Sequence, residues 1–102
     1  MVTGGRNNKS QQDLMREAGA FVKLSNMLTG VKGVDRARLD DLSGNVISCL
    51  TSLMANNAEN KEFFSKSIGV TQFKTLLLEA YDNKLTSRVL SGLLQMVRFT
   101  VP

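Results

Sequence analysis

The sequence contains no histidine and only one cysteine, Cys49, among its 102 residues. Without histidine it has no histidine-based catalytic triad, no histidine zinc site and no imidazole pH switch. A single cysteine cannot form a disulfide within the chain and supplies no cysteine cluster for a metal ion. We therefore expect a reducing, intracellular environment, specifically the cytoplasm, and no cofactor or metal.

The sequence also lacks a segment suited to a membrane and a surface suited to nucleic acid. No stretch approaches the roughly 18 consecutive apolar residues that span a bilayer, and residues 1–10 are too polar for a signal peptide. The net charge of +4 is modest, and the lysines and arginines are scattered. A nucleic-acid partner is disfavoured, because it needs a dense basic stripe with exposed aromatic residues.

What the sequence does contain is apolar residues at helical spacing, with no long alternation typical of a strand, so we predict an all-α protein. Residues 1–9 carry no apolar period and predict a flexible end, with Ser10 as the cap of the first helix. Gly44 interrupts the longest apolar stripe and predicts a kink there. Cys49 lies on that stripe, so we expect it to be buried and unreactive. The predicted helices cover residues 10–18, 20–28, 35–55, 59–67, 70–80 and 85–100.

The pattern of helices occurs twice in the chain. With an offset of 49 residues, Phe21 aligns with Val70 and Leu24 with Phe73; with an offset of 43, Leu50 aligns with Leu93. Each unit is a short helix, a second helix and a long third helix. Self-similarity at this period is typical of stacked helical repeats. We predict one repeat over residues 10–57 and a second over residues 58–102.

The repeat unit resembles an armadillo repeat. Residues 19–28 read Gly-Ala-Phe-Val-Lys-Leu-Ser-Asn-Met-Leu, similar to that family's second-helix pattern, and residues 49–53 read Cys-Leu-Thr-Ser-Leu, similar to its third-helix pattern. The resemblance implies an armadillo-like α-solenoid of two three-helix repeats. HEAT-type repeats and a plain helical bundle remain alternatives, since Ile68 stands where the second copy should have its turn glycine. Two units rarely suffice for stability, so we expect further repeats, as in a fragment of a larger scaffold, or self-association.

In armadillo proteins the third helices line a concave groove that binds extended peptides, through an asparagine and a tryptophan one turn earlier. The resemblance places the asparagine position at Ser52 and Gln95 and the tryptophan position at Ser48 and Ser91, so neither repeat keeps the pair. Gln95 still donates and accepts hydrogen bonds. The competing interpretation is that these are ordinary solvated helix faces. The partner-binding candidates are Asn45, Ser48, Ser52, Arg88, Ser91 and Gln95.

We expect a non-enzymatic protein–protein interaction module that binds a partner peptide or protein on this groove. One alternative is the armadillo-like region of a large BEACH-type membrane-trafficking scaffold, because residues 60–69 resemble the Asn-x-x-Phe…Ile-Gly turns of those proteins. Another is a non-catalytic accessory domain of an enzyme. The adjacent carboxylates Asp40 and Asp41 do not favour acid–base chemistry, because neighbours on a helix point about 100° apart.

Overall fold

A computed structural model describes residues 5–31 and 33–100 of the chain. Within those ranges it contains helices and connecting turns but no strand, which confirms the all-α prediction. The six helices form two sets of three, and the third helix of each set is its longest. They are α1 (Gly5–Glu17), α2 (Ala20–Asn26), α3 (Arg36–Met54), α4 (Ala58–Ser67), α5 (Gly69–Ala80) and α6 (Ser87–Thr100).

Most of the apolar side chains on the predicted stripes of α2 to α6 form one continuous core, although Met27 and Phe63 are exposed. Phe64 of α4 lies at its centre, with its ring centroid 6.0 Å from that of Phe21 and 6.4 Å from that of Phe73. Leu50 and Leu93, equivalent in the two repeats, are both buried. Leu24 is only partly buried. Because side chains of both repeats fill the same core, the repeats stabilise each other.

Helix α1 differs most from its prediction. It begins at Gly5, so the flexible end predicted for residues 1–9 is helical from Gly5 onward, and Ser10 lies inside the helix instead of capping it. Residues 1–4 lie outside the described residues. A polar segment without apolar period gives no helix signal. Within it, Lys9 forms ion pairs with Asp13 (3.1 Å) and with Glu59 of α4 (2.9 Å).

The face of α1 that packs on the rest of the protein is polar. The apolar side chains of Leu14 and Met15 are 65% and 49% exposed. Gln12 instead turns inward, and its side-chain amide donates to the carbonyl oxygens of Ser52 (2.8 Å) and Ala55 (2.9 Å) at the end of α3. Carbonyls at a helix end have no partner within the helix, so α1 satisfies them.

The third helices of the two repeats, α3 and α6, lie side by side and run parallel. Asp41 pairs with Arg88 near their beginnings, and further along a Cβ atom on Gly92 would lie 3.4 Å from Ile47 Cδ1. Residue numbers thus rise together along both helices. Gly44 does not break α3, which is continuous from Arg36 to Met54.

Left-handed glycines join the first and second helices in both repeats. Gly19 (φ 85°) precedes α2, and Gly69 (φ 78°) begins α5. Such a φ is unfavourable for residues with a side chain, so each turn requires glycine. The irregularity at Ile68 is therefore a shift of the turn by one residue, and the turn itself is kept.

Candidate partner-binding groove

The six candidate residues lie on the long third helices, three on α3 and three on α6. All six are exposed in the structure: Asn45, Ser48, Ser52, Arg88, Ser91 and Gln95. They follow one another at intervals of three or four residues on each helix, so each set shares a face. The parallel arrangement of α3 and α6 brings part of the two sets together.

A shallow cleft of about 190 Å³ runs between α3 and α6. Three candidates line it: Ser48 from α3 and Arg88 and Gln95 from α6. Gly44 and Gly92 form part of its walls, and their missing side chains let the two helices approach closely. The remaining lining residues are Asp40, Ile47, Thr51 and Val89. The cleft thus presents hydroxyl, amide and guanidinium groups beside accessible helix backbone.

The other three candidates lie outside this cleft. Ser52 lines a separate depression of about 430 Å³ between α1 and the end of α3, together with Gln12 and Met15. Asn45 and Ser91 are exposed on the flanks of their helices but line neither depression. The sequence alignment did not foresee Thr51, which completes the cleft, because the armadillo pattern gave that position no role.

Arg88 is held at the mouth of the cleft by Asp41, with 3.1 Å between the guanidinium nitrogen and the carboxylate oxygen. Both side chains are more than half exposed, so this ion pair contributes little to stability. It orients the guanidinium toward Gly44, where a Cβ atom would lie 3.9 Å from Arg88 Nη2. An acidic group arriving from solvent would compete with Asp41 for Arg88.

Asp40, next to Asp41 in the sequence, lies at one end of the cleft and is hydrogen-bonded there. Its carboxylate accepts hydrogen bonds from the hydroxyls of Tyr81 (2.5 Å) and Thr86 (2.9 Å). Burial, reinforced by the hydrogen bond to Asp40, raises the pKa of Tyr81 to about 12. The hydroxyl of Ser43 lies 3.3 Å from the Tyr81 oxygen and can donate to it, because the tyrosine proton is given to Asp40. These contacts fix α3 relative to the chain that enters α6, and they occupy a carboxylate that acid–base chemistry would require.

Cys49 is exposed, so the prediction of a buried cysteine is wrong. Its equivalent in the second repeat, Gly92, faces α3 and contacts Ile47. Cys49 occupies the same side of α3, and that side is turned away from α6. The repeat alignment placed Cys49 on the correct side of α3, but a residue there is buried only if another helix packs against that side.

A polar junction joins the two repeats: Asn57 and Asn60 are buried, and Gln12, Asp13 and Arg16 around them are partly buried. The Asn60 side chain donates to the carbonyl of Leu53 (2.7 Å) and to that of Gln12 (3.2 Å). Asn57 donates to Gln12 and to Asp13, both at 3.1 Å. The hydrogen bond from Asn57, followed by that from Lys9, lowers the pKa of Asp13. The Asn57 side chain also caps α4 by accepting from the amide of Asn60 (3.0 Å).

The described residues lack two kinds of site, a membrane-spanning helix and a metal-binding cluster. No helix there is long and apolar enough to cross a membrane. In the same part of the chain, histidine, cysteine and carboxylate side chains do not gather in any group of three or more suited to a metal ion.

The repeated helix triplet, the shared core and the parallel third helices define an α-solenoid segment. A family model described as the Neurobeachin alpha solenoid region matches residues 5–99, and the chain therefore belongs to this family. A relative named BEACH domain-containing protein B, from Arabidopsis thaliana, is 36% identical over 88 residues, which cover 84% of this chain and 3% of that protein. The chain thus spans a small fraction of that relative's length. No solved structure matches the chain.

Proposed function

We propose that this chain is a cytoplasmic, non-enzymatic scaffold segment that binds a partner peptide or protein along the face formed by α3 and α6. The observation that carries the proposal is the cleft between these helices, where Ser48, Arg88 and Gln95 converge beside the small walls of Gly44 and Gly92. An extended peptide offers backbone amides and carbonyls, which Gln95 and Ser48 can both donate to and accept from.

Family membership supports the scaffold part of the proposal. The matched family is an α-solenoid region, and the relative carries a BEACH domain in its name. Stacked helical repeats commonly present extended concave surfaces to other proteins. The site residues Asn45, Ser52 and Ser91 stay in the proposal as the flanks of this face, around the cleft itself.

Arg88 is the basic side chain that lines the cleft, and it is the group that can pair with an acidic side chain of a partner. Arg88 is more than half exposed, and its present partner Asp41 is equally accessible. Exchange of one exposed carboxylate for another costs little, so an acidic peptide gains orientation at Arg88 more than affinity. Affinity should be weak, because a cleft of about 190 Å³ offers a small contact area.

The test uses a displayed library of random peptides selected on the wild-type chain. Selected peptides are then titrated against Gln95→Arg and Ser48→Arg, with Gln72→Arg on α5 as the control, since Gln72 is equally exposed but outside the cleft. We expect the cleft variants to lose at least about tenfold in affinity, since bulky charge fills a small site, and the control to bind normally. Equal binding by all three variants would place the binding surface elsewhere.

A further inference from the structure

Helix α6 carries an apolar strip, formed by Leu90 and Leu94, that nothing in the described part of the chain covers. The two side chains are 46% and 58% exposed. They lie one turn apart, so they share a face of the helix. Val89, Leu93 and Met96 of α6 are buried in the core. Helix α6 therefore has one apolar face that packs on the core and a second, formed by Leu90 and Leu94, that does not.

The internal repeat shows which residues of the first repeat are equivalent to Leu90 and Leu94. With the offset of 43 residues between third helices, Leu90 is equivalent to Ile47 and Leu94 is equivalent to Thr51. Positions that fill each repeat's own core agree between the repeats, since Leu50 and its equivalent Leu93 are both buried. Ile47 and Leu90 disagree: Ile47 is 6% exposed and Leu90 is 46% exposed.

The difference arises from the contact between the third helices. Ile47 is covered by α6, where a Cβ atom on Gly92 would lie 3.4 Å from Ile47 Cδ1. Thr51 lines the cleft between the same two helices. In the first repeat, therefore, these two positions receive the third helix of the next repeat. Leu90 and Leu94 are the same positions in the second repeat.

We propose that the Leu90–Leu94 strip is the docking face for the third helix of a further repeat unit in the same, longer polypeptide. The incoming helix runs parallel to α6, as α6 does to α3, and is amphipathic. It carries a small residue (glycine, alanine, serine or cysteine) opposite Leu90, as Gly92 stands opposite Ile47. The argument extends the observed α3–α6 interface by one unit, and it is independent of whether the cleft binds a partner.

The experiment extends the full chain by a second copy of residues 55–102, which supplies a third helix with a glycine at the required position. Amide hydrogen exchange of α6 is compared between the original and the extended chain. We expect exchange of α6 to slow by about tenfold or more in the extended chain, because an added helix suppresses local opening. Equal exchange rates in the two chains would overturn the proposal.

Two variants of the extended chain test the strip itself. Leu90→Asp combined with Leu94→Asp should return α6 to the exchange rate of the original chain, and so should Gly92→Leu in the appended copy only. The original chain with both aspartates serves as the folding control, since both leucines are exposed and its circular dichroism should not change. Leu14→Asp on α1 is the matched exposed control and should keep the added protection.

Two results would contradict the proposal. In the first, the extended chain keeps its slow exchange with both aspartates present, so the appended unit docks elsewhere. In the second, the original chain forms concentration-dependent dimers that Leu90→Asp abolishes, as measured by sedimentation, so the strip belongs to a second copy. A failure of peptides to bind the cleft would leave both comparisons unaffected.

Discussion

The guanidinium of Arg16 in α1 donates a hydrogen bond of 2.7 Å to the side-chain oxygen of Asn60 in α4. This contact crosses from the first helix of one repeat to the first helix of the next. Asn60 is fully buried and uses its other side-chain atom to donate to two backbone carbonyls, so every polar atom of the side chain has a partner. A satisfied buried network fixes one arrangement of its members, since alternatives leave polar atoms unpaired.

The first prediction concerns this network. Asn60→Ala removes the donor to the Leu53 carbonyl, and a buried group left unpaired costs about 1–3 kcal/mol. Arg16 loses its acceptor Asn60 but keeps its contact with Asp13. We expect a loss of about 1–3 kcal/mol in the free energy of unfolding, measured by urea denaturation. Asn45→Ala, at an exposed helical asparagine, is the control and should change it by less than about 0.5 kcal/mol. Similar unfolding midpoints for both variants would show that the hydrogen-bond network around Asn60 contributes little to the free energy of unfolding.

The second prediction concerns the apolar core. Leu50 is fully buried, and Leu50→Ala should lower the free energy of unfolding by about 2–5 kcal/mol, through lost burial and the cavity left behind. Leu14→Ala makes the same chemical change at a leucine that is 65% exposed, and it should cost less than about 0.5 kcal/mol. Urea denaturation of both variants checks the difference. A small loss at Leu50 would mean that the stripe of α3 is not the core.

The third prediction is a pH dependence at Tyr81, the single tyrosine of the chain. Its pKa in the folded protein is raised from 10.0 to about 12, by burial and by the hydrogen bond to Asp40. Between these two values the folded protein keeps a proton that the unfolded chain has lost. Stability from this group is therefore fully present below about pH 10 and is lost as the pH rises toward 12. Ultraviolet titration of tyrosinate should give a midpoint near 12 in the folded chain and near 10 in urea.

The variant Tyr81→Phe provides the control for that titration. It should remove the contribution of Tyr81 to the loss of stability above pH 10, and it should cost about 1–2 kcal/mol at neutral pH through the lost hydrogen bonds. Thr86 still donates to Asp40 in this variant, so the carboxylate stays paired. A tyrosinate midpoint near 10 in the folded chain would show that Tyr81 is accessible to water.

The fourth prediction tests the close approach of α3 and α6 at Gly92. A Cβ atom there would lie 3.4 Å from Ile47, an ordinary van der Waals contact, so Gly92→Ala should be tolerated. The gain in helix propensity should stabilise the protein by up to about 1 kcal/mol. Gly92→Leu should instead destabilise it by about 1–3 kcal/mol, because the larger side chain overpacks the interface. Thermal unfolding distinguishes the two, and equal effects of alanine and leucine would mean that the helices are not in close contact.

Helix boundaries within the apolar part of the chain followed from spacing alone. The predicted long helix over residues 35–55 and the observed α3 differ by one residue at each end. Spacing succeeds there because one face of a helix must be apolar when it packs on a core. It failed for α1, where Gln12 and Arg16 make the packing contacts, because polar side chains give no such signal unless their partners are known.

The candidate cleft shows the same limit. The family pattern pointed to Ser48, Ser52, Ser91 and Gln95, but only the structure showed that Ser48 and Gln95 line one cleft and that Ser52 lines another depression. Positions on one helix share a face by periodicity. Which face meets a second helix depends on the angle and register at which the two helices pack. Neither can be read from the sequence of one helix alone.

By itself the sequence determined that the chain is all-α, that it contains two similar units, and that its third helices carry the longest apolar stripes, because local periodicity encodes each of these. The tertiary structure alone decided that Cys49 is open to solvent, that Ile47 is covered and its equivalent Leu90 is exposed, and that Asn57 and Asn60 join the repeats. Burial is a property of neighbours. Two equivalent residues in a repeated sequence differ in burial whenever one has a helix packed against it and the other has water.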